Sequence, residues 1–379
     1  MSGSVPMIYP NAITDIKGLE DRPVYFVKMD RSPEWNLVVK MDAKNREADT
    51  SDDVAVSIKW GSKLMKHVNS REVNVKVMTP VEVEAFKAAA RQKFPPHSIQ
   101  YMNLSNIGPV FVKMPFVRGL TDADMWDSKT QSADPQLIKA NIPKFMDDTV
   151  WTELGKVVAV DLFIGNNDRF DSAGKWINHG NVMFVGPTNR VIGLDTFDYN
   201  SHDKSNLKTG GGFDELRILI DAGRRNTFAR ACVESVGKGF EGRMAKNGLG
   251  HITLRSDGPN GMVLTQLKAT EMPTLYMEYV PNFEEGLRVG ADELRRTLQD
   301  KVRKYAAAQV QQPKTPWVSP YVGQGQQLAQ GRPGLLGQAR QQAPRQGYMP
   351  LAPVEVPQRA TKTIPQGILD RMAYLGWNV

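Results

Sequence analysis

Apolar and polar positions alternate in two short runs near the start of the chain, Val24 to Lys28 (VYFVK) and Leu37 to Lys40 (LVVK). The turn-forming residues MDRSPE lie between them, so the two runs are expected to pair as a hairpin. Val73 to Val77 (VNVKV) has the same half-buried alternation, and Val110 to Met114 (VFVKM) reads as a further strong strand. A helical period covers Asp52 to His67, with Thr50 and Ser51 as caps and Asp52 and Asp53 suited to its N-terminal dipole. Val81 to Arg91 is also helical, and so is the chain from Leu137 onward, where Val150, Leu154, Val157 and Val158 recur on one face. Later helices are expected over about Phe213 to Asp221, Thr227 to Val236 and Ala291 to Val310, with a glycine- and charge-rich loop holding a short helix from Gly237 to Gly261. Leu294, Leu298, Val302 and Tyr305 form one stripe on the last of these.

The stretch from Asp161 to Asn200 alternates apolar runs with polar loops. Gly165-Asn166-Asn167-Asp168-Arg169 favours a loop after a buried helix. Asn181 precedes the apolar run Val182 to Val185, Gly186 to Asn189 makes a turn, and Val191 to Leu194 completes a hairpin ending at Asp195. Asn181 and Asp195 therefore flank one hairpin, where strand-end oxygens share a cation readily. Asn178, on the same polar loop, is a rival to Asn181.

From Gln311 to Pro365 the chain turns to Gln, Pro, Gly and Arg without a period, the signature of a disordered or extended linker. Gly367 to Val379 restores an apolar pattern through Ile368, Leu369, Met372, Leu375 and Trp377, a short amphipathic helix that needs a docking surface to persist. That surface belongs either to the same chain or to a partner of the tail.

Length and composition narrow the classes. A chain of 379 residues with 41% hydrophobic residues builds a real core in one bilobal unit or two domains. Its apolar runs are too short to cross a bilayer, and the polar N-terminus lacks a secretory signal. One cysteine, Cys232, gives no intrachain disulfide framework, and five histidines without HxxxH or HxH spacing argue against zinc. These features fit a cytoplasmic protein, with delivery into a host cell left open. The net charge of +7 resides mostly in the linker, where Lys314, Arg332, Arg340, Arg345, Arg359 and Lys362 face Glu355 alone. A basic groove across the globular part is not implied, which disfavours nucleic acid as a partner.

The residues G-N-N-D-R-F (165–170), W-x-N-x-G-N-V-M-F (176–184) and V-I-G-L-D (191–195) resemble the catalytic segment of actin-fragmin kinase. More loosely, they resemble phosphatidylinositol 3/4-kinases and HipA-like kinases. The spacing of 13 from Asp168 to Asn181 is longer than in ordinary protein kinases and looks like the extended catalytic loop of the actin-fragmin type. The resemblance implies an α+β, bilobal protein-kinase-like fold with a small antiparallel-sheet N-lobe (1–118) and a mostly helical C-lobe (119–310). The disordered basic linker (311–365) and the amphipathic segment (366–379) follow.

ATP and Mg²⁺ are the implied cofactors. Asp168 would accept or orient the proton of a substrate hydroxyl, Arg169 would position the loop or a phosphate, and Asn181 and Asp195 would hold Mg²⁺. Lys40, at a strand end, would steady the α and β phosphates, paired with Glu47, Asp52 or Asp53. The strand running into Pro115 to Arg118 has the shape of an adenine-binding hinge, with Met114, Phe116 and Val117 at the base. No G-x-G-x-x-G loop is present, as in lipid-kinase-like relatives, and a Lys17-Gly18 turn is the substitute. Thr196-Phe197 also follows Asp195 where protein kinases have Phe-Gly.

The implied activity is transfer of the γ-phosphoryl group to a Ser or Thr hydroxyl of a protein, with actin or another cellular protein as substrate by analogy. The alternatives are a lipid or small-molecule kinase on the same fold, and a pseudokinase or adaptor acting through its tail.

Overall fold

Five strands form an antiparallel sheet in the order β1-β2-β3-β5-β4. They are β1 (Ile13–Gly18), β2 (Val24–Met29), β3 (Leu37–Asp42), β4 (Lys76–Val77) and β5 (Val110–Pro115). The structure is a computed structural model describing residues 5–9, 11–19, 23–42, 51–68, 73–104, 110–117, 119–121, 126–127, 132–133, 136, 138–139, 142–185, 190–194, 213–258, 261–310 and 364–377.

Register assigns each side chain of the sheet to a face. Tyr25 pairs with Val39 and Val39 with Lys113, and this face buries Tyr25, Val27, Met29, Leu37, Val39 and Phe111. Helix α2 (Pro80–Lys93) covers it with Phe86 and Ala90, and α3 (Ile99–Leu104) adds Leu104. Each such apolar side chain contributes about 1.5–3 kcal/mol when fully buried. A reciprocal capping box between Thr79 and Glu82 starts α2. On the other face Val24 pairs with Lys40 and Lys40 with Val112, while Lys17 pairs with Phe26, Phe26 with Val38 and Val38 with Met114. Helix α1 (Ser51–Val68) reaches this face through Ile58, which clusters with Val110 and Val112.

Lys17 and Gly18 close β1 opposite Phe26 and Tyr25 instead of forming a turn. A register shift between Ile13 and Asp15 breaks the two-residue period there, so the strand carries no clean alternation. Within Val73 to Val77, only Lys76 and Val77 pair with the sheet.

The second core surrounds α4 (Asp148–Ile164), capped by the Asp147 carboxylate accepting the Thr149 N–H at 2.8 Å. Trp151, Leu154, Val157, Val158 and Phe163 are all buried, and from Val157 to Ile164 the helix is enclosed on every side. Around it lie Trp60, Leu64 and Met65 of α1 and the helices α5 (Arg217–Ile220), α6 (Ala222–Lys246), α7 (Met272–Tyr276) and α8 (Val280–Val310).

Three expectations for this region change. Helix α6 runs straight through Gly237, because a Cβ there would lie 2.6 Å from the Pro273 Cα: the glycine admits the backbone of α7 against it. The region expected to be loop instead holds strand β11 (His251–Gly258), which pairs with β12 (Gly261–Lys268) just beyond it, and α8 begins at Val280 rather than Ala291.

The remaining strands are short. β6 (Leu120–Thr121), β9 (Val182–Val185) and β10 (Arg190–Gly193) form a sheet in the order β10-β9-β6, while β7 (Trp126–Asp127) pairs with β8 (Ser132–Ala133). The C-terminal helix α9 (Gln366–Tyr374) buries Ile368 and Met372 in the α4 core.

The chain divides into one unit of Met1–Val302 with Ile364–Val379, and another of Arg303–Thr363. Of the latter only 303–310 are described, so the expected linker lies outside the described residues except for Ile364 and Pro365. Among the described residues, no helix is long and apolar enough to cross a membrane.

Candidate active site

Helix α4 ends at Gly165, whose φ of 76° is the left-handed conformation that lets the chain leave the helix. Asn166 then folds back on the helix. Its N–H bonds to the Asp161 carbonyl at 2.8 Å, its Nδ2 donates to Asp161 Oδ1 at 3.0 Å, and its Oδ1 accepts the Asp168 N–H at 3.2 Å. Arg169 is fully enclosed. Its guanidinium donates to Asp161 Oδ2, to the Asn181 carbonyl at 3.0 Å and to the Leu194 carbonyl. The Leu194 N–H also bonds to the Asn181 carbonyl, at 2.9 Å. One cation thus ties the buried helix, its loop, the start of β9 and the end of β10 together.

Asp168 is half-exposed and accepts from two amides. Asn178 Nδ2 lies 3.3 and 3.4 Å from its oxygens, and Asn181 Nδ2 donates to Oδ2 at 2.5 Å. The spacing of 13 between Asp168 and Asn181 is taken up by a compact excursion. Asp171 Oδ1 accepts the Ala173 and Lys175 N–H groups at 3.0 and 2.8 Å, Phe170 and Trp176 stack with centroids 6.1 Å apart, and Ile177 N–H returns to the Arg169 carbonyl at 3.0 Å. The Trp176 N–H anchors the excursion to Ser235 Oγ on α6 at 2.9 Å.

Burial pushes the Asp161 carboxyl above its ordinary value, and the Arg169 guanidinium and Asn166 amide pull against that rise. Enclosed and bonded to three acceptors, Arg169 holds the loop. A half-exposed carboxylate whose orientation two amides fix is suited to accepting a proton from a bound hydroxyl.

The structure gathers Asp168, Arg169, Asn178 and Asn181 into one hydrogen-bonded cluster. Lys40, Lys17 and Met114 lie on the five-stranded sheet and Phe116 directly after its strand β5. The first three share the sheet face that α1 approaches, and Phe116 packs edge-on against Phe26 of that face, with centroids 5.7 Å apart. Phe116 N–H bonds to the Asn36 carbonyl at 3.1 Å, and Val117 is half-buried in the connector that follows.

This connector joins the two groups. Four residues after the end of β5 the chain enters β6, which pairs with β9 through Leu120↔Phe184 and Thr121↔Met183, and β9 begins directly after Asn181. Gly119 permits the close approach, since a Cβ there would meet the Met183 side chain at 2.5 Å. Asp195, Glu47 and Arg118 lie outside the described residues, as do the side chains of Asp52 and Asp53.

Two features escaped the sequence reading. Asp161 and Asn166 hold the loop, and the signal was present: a lone carboxylate inside the apolar run Val157 to Ile164 requires a buried partner. The second is a buried Lys113–Glu82 ion pair on the α2 side of the sheet, opposite Lys40. Glu82 also accepts the Ile8 N–H at 3.0 Å, and Lys113 Nζ donates to the Pro6 carbonyl at 2.7 Å, so this pair fastens the N-terminal segment.

No protein-family model matches the chain, and no curated protein matches it. Among the described residues, no group of three or more His, Cys, Asp or Glu side chains is placed to hold a metal ion.

Proposed function

We propose that the chain is an ATP- and Mg²⁺-dependent kinase of bilobal protein-kinase-like fold that transfers the γ-phosphoryl group to a Ser or Thr hydroxyl of a protein. The observation that carries this reading is the geometry at Asp168: a half-exposed carboxylate gripped by the Asn178 and Asn181 amides, on a loop locked by the Asp161–Arg169 pair. Phosphoryl transfer asks chiefly for positioning and charge stabilisation, and a rigid loop presenting one oriented carboxylate meets the first demand.

The sheet supports the same reading. Lys40 lies on the third strand, the strand that carries the phosphate-contacting lysine in protein kinases, and α1 follows it. Val24, Phe26, Val38 and Met114 surround that lysine's face and stay half-buried, an apolar surface suited to a purine base.

Asn181 fits the metal-ligand role better than Asn178. The Asn178 oxygen is already used, accepting the Gly180 N–H at 3.2 Å to cap the short helix His179–Asn181. A hard oxygen from Asn181 with the carboxylate of Asp195 suits Mg²⁺, which when bound would neutralise charge on the β and γ phosphate oxygens. Asp168 then takes the proton of the attacking hydroxyl, Lys40 offsets phosphate charge, and Arg169 keeps Asn181 and Leu194 in place.

Incubation with labelled ATP tests the proposal, comparing wild type with Asp168→Ala and Asp195→Ala. Label is expected in protein for the wild type alone. Label confined to the soluble or lipid fraction would reassign the acceptor, and no transfer to any acceptor would remove the reading.

A further inference from the structure

We infer that the C-terminal helix α9 is a tethered positioning element for the loop 165–169, with Trp377 as its contact residue. The helix is joined to α8 only through 311–363, yet its inner face is as buried as the core it meets: Ile368 and Met372 are fully enclosed, and Leu375 and Trp377 nearly so. It ends in a Schellman motif. Gly376 adopts φ 66°, its N–H bonds to the Ala373 carbonyl at 3.0 Å, and the Trp377 N–H returns to the Met372 carbonyl at 2.9 Å. That reversal turns the indole inward and lays it flat on Phe163, with centroids 5.7 Å apart and planes 4° from parallel.

Phe163 lies in the last turn of α4, two residues after Asp161 and two before Gly165, so the ring under the indole belongs to the helical turn from which the loop departs. A second contact fixes the angle of the helix. The Tyr374 ring stacks on Phe213 at 5.3 Å, its hydroxyl accepts from Arg217 Nε at 2.8 Å, and the enclosed Arg371 guanidinium lies over the same Phe213 at 5.8 Å. Displacing α9 therefore acts on the loop that presents Asp168. The effect on catalysis rests on the proposed function, whereas the coupling to the loop does not.

Hydrogen exchange on the full chain tests the coupling by comparing wild type, Trp377→Ala and Trp377→Phe. Trp377→Ala is expected to speed exchange at the Asn166, Asp168 and Arg169 amides by at least about tenfold, with β2 and β3 unchanged, and Trp377→Phe to restore most of the protection. Where phosphate transfer is measurable, Trp377→Ala is expected to lower kcat and leave KM for ATP in place. Unchanged exchange in the loop, or an equal rise through the sheet and all of α4, would overturn the inference. The localised exchange pattern in a chain that transfers no phosphate would uphold the coupling and count only against the kinase reading.

Discussion

Arg169→Ala is the most informative single change to the candidate site. The guanidinium is fully enclosed and spans three acceptors: the Asp161 carboxylate and the Asn181 and Leu194 carbonyls. Truncation leaves a buried carboxylate facing a void and strips a donor from each carbonyl. Breaking a buried pair by removing one partner costs about 3–5 kcal/mol. For a unit of this size that lowers the unfolding midpoint by roughly 6–15 °C, at about 2–3 °C per kcal/mol.

Thermal unfolding followed by circular dichroism reads the effect. Arg169→Lys should recover little, because a compact ammonium cannot reach three divergent acceptors. The double change Arg169→Met with Asp161→Leu removes both charges and is expected to regain at least about half of the loss, since apolar replacements of a buried pair are often neutral. An Arg169→Ala midpoint within about 1 °C of wild type would refute the view that this cation holds the loop together.

Other perturbations separate the site from its scaffold. Gly155→Ala drives a methyl group into the Phe283 carbonyl where α4 crosses α8 and is expected to destabilise by about 1–3 kcal/mol in urea unfolding. Gly242→Ala meets nothing within 4 Å on α6 and should instead stabilise by about 0.5–1 kcal/mol. Burial raises the Glu82 carboxyl, but Lys113 and the Thr79 and Ile8 N–H groups outweigh it and hold the group below its ordinary value. The stability this contributes is present above the unfolded pKa and lost as pH falls through the lowered folded value. Glu82→Gln should flatten the pH dependence of urea unfolding between about pH 6 and pH 3, and an unchanged slope would exclude Glu82 as its source. Asp168→Asn is expected to cut transfer roughly 10²- to 10⁴-fold with little change in melting temperature, since the carboxylate is half-exposed.

The parts legible in the sequence are those where a local period survives packing. Val24 to Lys28, Leu37 to Lys40 and Val110 to Met114 become β2, β3 and β5 because their alternation matches a sheet with two different faces. Val150, Leu154, Val157 and Val158 became the buried face of α4. Strand β1 was missed because its bulge displaces Ile13 and Ile16 from a common period, and the full length of α6 because Gly237 looks like a breaker until α7 is packed against it. The sequence Gly-Pro-Asn-Gly at 258–261, between β11 and β12, is a hairpin signal that the surrounding glycine and charge obscured.

At the site, Asp168, Asn178 and Asn181 could be read from the chain as candidate oxygen and amide groups, but not the hydrogen bonds by which both asparagines hold Asp168. The Asp161–Arg169 pair is a tertiary fact: eight positions separate its members, and only the left-handed exit at Gly165 brings the arginine back beneath the helix.

A crystal structure with Mg²⁺ and a non-hydrolysable ATP analogue tests the central claim most directly. The expected result is the base against Val24, Phe26 and Met114, with the phosphates between Lys40 and Asn181 and the γ-phosphoryl group facing Asp168. An analogue bound away from that sheet face, or Lys40 and Asp168 opening onto separate surfaces, would contradict it.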